Sequence, residues 1–173
     1  MEIWALADSE HHINMIMALC IREPNHNYTL IFTRPQRKSI SLIGIKNCKL
    51  IPAERNYGSD FFRIEKTSRG LIDKLYDRVK PDHFITFYDT HVLFLYIRHT
   101  FDIEWKKTGL IEDGLGNYIK VSMPAYYNRC VKAFLNRIVG RFTIPISKFS
   151  LGLNPKIPIL YCLFPKAAVV HRN

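Results

Sequence analysis

The sequence predicts an α/β domain, in which a parallel sheet carries helices on both faces. Short, β-rich apolar segments alternate with longer segments whose apolar residues recur at helical spacing. Turn residues separate these segments, and 47% of the 173 residues are apolar, which is ample for a buried core. Strands that alternate with helices favour a parallel sheet, because parallel neighbours need a long crossover connection.

In the first 60 residues, extended and helical patterns alternate between clear turn signals. Asp8 or Ser9 can cap a helix, because a short polar side chain there can accept a hydrogen bond from a free backbone N–H. The helix should end at Pro24-Asn25, since proline cannot continue it. The predicted segments are a strand at Ile3–Ala7, a helix with Ile13, Ile16, Met17 and Cys20 on one face, a strand at Tyr28–Thr33, and two weak strands or loops at Ile40–Ile45 and Lys49–Ile51.

From residue 60 the alternation continues with clearer helices. Gly70 weakens the middle of the first of them, and Pro81-Asp82 ends it. The predicted segments are a helix at Asp60–Val79, a strand at His83–Tyr88, a buried helix at Thr90–Phe101 and a strand at Ile103–Ile111.

The last third combines a basic amphipathic helix with a proline-containing tail. Nine of the 25 Lys and Arg residues lie in 114–173, and none of the 15 Asp and Glu residues does. A surface of this kind suggests an anionic partner or a solvated basic face. The helix begins near Pro124, and one short strand is expected at Ile157–Phe164. The apolar stripe of the helix is Tyr126, Tyr127, Cys130, Val131, Phe134, Leu135, Ile138 and Val139. The candidate anion-binding residues, on the helix and just after it, are Arg129, Lys132, Arg137 and Arg141.

Polar clusters follow three of the predicted strands, at residues 8–11, 88–91 and 112–114. The carboxyl ends of parallel strands are where such sheets place functional groups. Ser9 and Thr90 are better explained as helix caps. The remaining candidates for substrate binding at the first two ends are Asp8, His11, Asp89 and His91.

Several function classes lack their motifs. No G-x-G-x-x-G, Walker loop or G-x-S-x-G is present, and the histidines have no recognised metal spacing, so no metal site is expected. The four cysteines form no C-x-x-C pair. They could form disulfides, but their apolar neighbours favour buried thiols in a reducing compartment. No segment is long and apolar enough to span a membrane.

The adjacent carboxylates Glu112 and Asp113, followed by Gly114, form the sharpest chemical feature. Each carboxylate discourages ionisation of the other, which suits one of them to general-base work. Glycine lets the chain turn and a substrate approach closely. The competing interpretation is an exposed Asp-Gly turn.

Residues 110–118, Leu-Ile-Glu-Asp-Gly-Leu-Gly-Asn-Tyr, resemble the corresponding segment of bacterial glycosyltransferase family 52. That family contains sialyltransferases of lipooligosaccharide and capsule assembly. Residues 127–140 look like its basic helix, and residues 161–164 look like a short strand before its hinge. The specific part of the resemblance is confined to 105–140, and polysialyltransferases share the carboxylate motif.

The resemblance implies the first Rossmann-like domain of a GT-B arrangement. Asp113 would be the general base that takes a proton from the acceptor hydroxyl, and Glu112 would orient or tune it. Gly114, Gly116 and Asn117 would contact substrate. The configuration would invert as CMP leaves, with no cofactor beyond the donor, CMP-sialic acid or a related nucleotide sugar. The acceptor would be an oligosaccharide or a lipid-linked glycan.

The sequence departs from the family pattern because it has no His-Pro pair, the motif that helps the second domain to bind the nucleotide. We therefore expect an acceptor-side domain at 1–142, and at 143–173 a linker and the start of a missing donor-binding domain. A cytoplasmic location with peripheral contact to the inner membrane face would fit the basic surface, and a homo-oligomer stays open.

Two binding functions without catalysis compete with the enzyme. A non-catalytic Rossmann-like module could bind an anionic membrane surface or partner through its basic last third. A nucleic-acid binder could stack bases on Tyr126, Tyr127, Phe134 or Phe142. Since most of these aromatic residues lie on the apolar stripe, no nucleic-acid partner is expected.

Overall fold

A computed structural model describes residues 1–33, 46–52, 66–88, 91–111, 122–139, 156–157 and 159–161. The chain divides into two compact units. One comprises residues 1–60 and 64–85, and the other comprises 61–63 and 86–173. The boundary predicted at 142/143 lies outside the described residues, as does the predicted strand Ile40–Ile45.

The first unit begins with the predicted strand–helix–strand arrangement. Strand β1 spans Glu2–Ala7, helix α1 spans Glu10–Arg22, and strand β2 spans Asn27–Phe32. The strands pair in parallel, with Ala5 opposite Leu30. Both are buried along almost their whole length, so this part of the sheet is covered on both faces. The C-cap of α1 is Glu23, directly before Pro24.

The first unit continues with strand β3 at Cys48–Pro52, helix α2 at Lys66–Arg78 and strand β4 at His83–Thr86, whose last residue belongs to the second unit. β3 lies parallel to β2, and the strand order is β3-β2-β1-β4. The weak strand predicted at Lys49–Ile51 is confirmed. β4 is two residues shorter than predicted, because Thr86 Oγ1 bonds both the N–H and the carbonyl of Tyr88 and turns the chain there.

Trp4 of β1 has no exposed surface. Its ring meets the rings of Tyr76 and Phe84 edge-on, at centroid distances of 6.1 Å and 6.5 Å. Edge-to-face pairs at this separation contribute beyond the apolar area that they bury. Trp4 therefore joins β1 to α2 and β4.

The second unit contains helix α3 at Val92–Thr100, a short 3-10 helix at Trp105–Lys107 and strand β5 at Thr108–Ile111. The prediction of one long strand from Ile103 is wrong over its first half. Asp102 has φ 49°, which reverses the chain after α3. The Arg98 guanidinium covers the Trp105 ring at 4.2 Å and donates to the carbonyl of Ile103 at 3.3 Å. These contacts hold the segment in a turn.

Helix α4 spans Met123–Val139 and strand β6 spans Ile159–Tyr161. β6 pairs in parallel with β5, with Leu110 opposite Leu160. The prediction of an α/β fold with a parallel sheet is therefore confirmed. No helix within the described residues is long and apolar enough to cross a membrane.

Candidate functional site

The first polar cluster lies where β1 ends and α1 begins. Asp8 follows the strand directly, and its carboxylate Oδ1 lies 2.8 Å from Nδ1 of His12 on the first turn of α1. Both side chains are buried, with 8% and 1% of their surfaces exposed. A buried carboxylate is costly unless it is well hydrogen-bonded, and the 2.8 Å contact to His12 supplies such a partner.

The geometry decides which ring nitrogen of His12 carries a proton. Nδ1 lies 2.8 Å from the Asp8 carboxylate and 3.3 Å from the Asp8 backbone nitrogen. A protonated Nδ1 can donate to the carboxylate, whereas a bare Nδ1 can only accept from the backbone N–H. The shorter contact involves a charge and is the stronger bond, so we assign the proton to Nδ1.

A carboxylate that holds Nδ1–H fixes both the orientation and the tautomer of an imidazole. In the neutral ring this leaves Nε2 as the basic atom. An Asp–His pair of this kind can accept or release a proton if a substrate reaches it. It also fixes the turn between β1 and α1, which is a structural role in its own right.

The local sequence builds this turn through Ser9. Its hydroxyl accepts a hydrogen bond from the His12 backbone N–H at 3.2 Å and caps α1. The cap starts the helix directly after Asp8 and so places His12 one turn above the Asp8 carboxylate. Of the two caps that the sequence left open, the structure selects Ser9.

The pair also lies at a special point of the sheet in the first unit. β1 has β2 on one side and β4 on the other, so the strand order reverses there. Ligands of open parallel sheets bind outside the carboxyl ends of strands at such a reversal. Thr33 marks the same end of β2, where its backbone N–H donates to the carbonyl of Ala7 at 3.0 Å.

Sequence reasoning selected His11 and missed His12. His11 is exposed on α1, and its ring centroid lies 6.4 Å from that of the buried His12. The missed signal was the spacing of four residues from Asp8 to His12 across a capped helix start, which brings the two side chains together.

His91 lies at the start of α3, in the second unit, and is 9% exposed. Its Nδ1 accepts a hydrogen bond from the Leu93 backbone N–H at 3.1 Å, so His91 caps the helix. The prediction that Thr90 is the cap is therefore wrong. An imidazole caps only through a nitrogen without a proton, so this cap needs the neutral ring.

Helix α4 does not bury its predicted apolar stripe as one face. Ala133 is buried, and Tyr126 and Cys130 are half-buried. A second row at helical spacing is exposed to between 38% and 77%, namely Met123, Tyr127, Val131, Phe134 and Ile138. Of the predicted basic residues, Arg129, Lys132 and Arg137 belong to this helix.

The carboxylate motif follows β5 without a break in the sequence. β5 ends at the buried residue Ile111, and Glu112 is the next residue. The predicted site residues that lie outside the described part of the chain are Asp89, Glu112, Asp113, Gly114, Gly116, Asn117 and Arg141. Their roles stay predictions.

Within the described residues, no group of three or more His, Cys, Asp or Glu side chains could hold a metal ion. In comparisons with known proteins, no family model matches the chain. No curated protein matches it either.

Proposed function

We propose that this chain is the acceptor-side domain of a sialyltransferase-like glycosyltransferase. It would transfer a sugar from a CMP-activated donor to a cell-surface oligosaccharide with inversion. In this proposal the fold is Rossmann-like and forms the first half of a GT-B arrangement. Asp113 removes the proton from the acceptor hydroxyl, and Glu112 orients it.

The observation that supports this proposal is the position of the motif after β5. β5 is paired in parallel with β6 and ends at Ile111, and Glu112 and Asp113 are the next two residues in the sequence. Sheets of this class carry their chemistry at such ends. The motif also lies within residues 105–140, the stretch in which the resemblance to the glycosyltransferase family is specific.

The proposal is tested by replacing Asp113 with Asn. An amide cannot accept the proton, so we expect transfer from CMP-sialic acid to lipooligosaccharide to fall by about 10²- to 10⁴-fold. Donor binding, measured by calorimetry, should not change. The measurement is made on this chain and on any longer natural form of it.

Asp102→Asn is the matched control, because Asp102 is exposed and has a left-handed backbone that Asn also tolerates. Transfer by the Asp102→Asn variant should stay at the level of the unchanged protein. In a form of the protein that does transfer the sugar, equal transfer by the Asp113→Asn variant and the unchanged protein would contradict the proposal. If this chain alone binds CMP, the donor site lies within it, and the candidates become Asp8 and His11 in the first unit or Asp89 and His91 in the second.

A second candidate function is a non-catalytic module that binds an anionic membrane surface. The exposed apolar row on α4 favours it, because a helix with such a row, basic residues and no acidic residue can lie in a lipid interface. Here Asp113 would have no role, and α4 would carry the whole activity.

This alternative predicts that Tyr127→Ser together with Phe134→Ser lowers binding to phosphatidylserine vesicles at least several-fold, because less apolar surface enters the lipid. Vesicle co-sedimentation measures the effect. Ile21→Ser is the control, since Ile21 is 70% exposed but lies on α1. Equal losses in both variants would show that α4 is not the contact surface.

A further inference from the structure

Cys20 and Cys48 are far apart in the sequence but adjacent in the first unit. Cys20 lies on the buried face of α1, and Cys48 is the first residue of β3, opposite Tyr28 of β2. The Asn47 side chain donates to the carbonyls of Cys20 and His26, at 3.1 Å and 2.9 Å. These bonds tie the start of β3 to the last turn of α1. The two thiols are close enough for each to shift the pKa of the other.

The two thiols differ in exposure and in acidity. Cys20 is 1% exposed, and its hydrogen bond to Cys48, together with burial, raises the pKa of its thiol. Cys48 is partly exposed, and the hydrogen bond from Cys20 lowers the pKa of Cys48 although burial opposes this. The thiolate is the reactive form of cysteine. Cys48 is therefore the thiol that reacts first, and Cys20 is positioned to attack it once it is oxidised.

We propose that Cys20 and Cys48 form a reversible disulfide when the protein meets a hydroperoxide. The Cys48 thiolate attacks one peroxide oxygen, the O–O bond breaks, and Cys48 becomes a sulfenic acid as hydroxide leaves. The sulfur of Cys20 then attacks Cys48, the S–S bond forms, and the S–O bond breaks. The proton of Cys20 leaves with the oxygen as water. In total the two thiols lose two protons and two electrons, and hydrogen peroxide is reduced to two water molecules.

The disulfide would join α1 to β3 within the first unit. A bond between these elements fixes the last turn of α1, while Asp8 and His12 hold its first turn. A dithiol reductant reverses it by thiol–disulfide exchange. Neither step depends on the proposed glycosyltransferase function, because both cysteines lie outside the carboxylate motif.

The test is peptide mapping of the full chain after treatment with hydrogen peroxide and alkylation of the remaining thiols. Trypsin cleaves after Arg22, Lys46 and Lys49, so the expected product joins residues 1–22 to residues 47–49. Its mass should be two hydrogen atoms below the sum of the two peptides. Two of the four thiols should be lost, and dithiothreitol should restore them.

Variants separate the two roles. Cys48→Ser should abolish the cross-link, whereas Cys20→Ser should leave a Cys48 sulfenic acid that dimedone captures. Cys130→Ser, a partly exposed cysteine of α4, is the control and should leave the cross-link intact. Two results would overturn the proposal. One is a loss of thiols without the cross-linked product of residues 1–22 and 47–49. The other is a Cys48 that stays reduced at peroxide concentrations that oxidise free cysteine. Mapping of the unchanged protein decides this even if a variant does not fold.

Discussion

At the scale of single residues, the chemistry of the first unit depends on polar side chains held at the ends of strands and helices. Asp8, Ser9 and His12 occupy one turn, and each is held by a short contact to another member of the group. A buried carboxylate is tolerated there because it meets a ring N–H at 2.8 Å.

The substitution Asp8→Asn should weaken the fold at this turn. The amide keeps the shape of the side chain but removes the charge from its bond to His12. We expect the free energy of unfolding to fall by about 1.5–3 kcal/mol, the range for a hydrogen bond that involves a charged group. Urea denaturation measures the change.

Glu10→Gln is the control for this substitution, because Glu10 is exposed in the same first turn. It should cost no more than about 1 kcal/mol, which is the worth of an exposed carboxylate near a helix N-terminus. If the two substitutions destabilise equally, the buried pair contributes nothing beyond helix electrostatics.

At the scale of elements, helix α2 contains a residue that helices disfavour. Gly70 lies inside Lys66–Arg78, and a Cβ at this position would meet no atom within 4 Å. The predicted weakness in the middle of this helix therefore reflects the conformational freedom of glycine rather than a close approach.

The substitution Gly70→Ala should stabilise the protein. Alanine loses less conformational freedom on folding, and the site has room for its methyl group, so the free energy of unfolding should rise by about 0.5–1 kcal/mol. Thermal and urea denaturation both report it. Ala18→Gly, at an exposed position of α1, is the reverse control and should lower stability by a similar amount. A loss of stability in the Gly70→Ala variant would mean that glycine is needed there.

At the scale of the whole molecule, charge is distributed unevenly along the chain. The formal net charge is +10, and the stretch 114–173 holds nine basic residues and no acidic one. Helix α4 belongs to this stretch and exposes an apolar row. The combination predicts that electrostatic attraction and apolar burial both contribute to any contact with a membrane.

Binding to phosphatidylserine vesicles should therefore decrease as salt rises from about 0.1 M to about 1 M, since the screening length shortens from about 10 Å to about 3 Å. Vesicles of neutral phosphatidylcholine should show weak binding that does not decrease with salt. Co-sedimentation across the salt series separates the two contributions. Binding to anionic vesicles that persists unchanged at high salt would contradict a role for the basic residues.

The local sequence pattern was sufficient to predict much of the fold. Apolar runs between turn residues predicted β1, β2 and α1, because a strand or helix end depends on neighbours in the sequence. The same reasoning failed at residues 103–107, where apolar and aromatic residues suggested a strand. Arg98 and the backbone of Asp102 turn this segment instead, and neither contact leaves a trace in the local pattern.

The sequence by itself determined the α/β class and the parallel pairing of the strands. It also gave Ser9 as one of two possible caps of α1 and placed the excess of basic residues in 114–173. These properties follow from short-range spacing and composition. Only the tertiary structure decided that Cys20 lies beside Cys48 and which half of the α4 stripe is exposed. Each of these depends on how elements pack, and packing joins residues whose separation along the chain carries no signal.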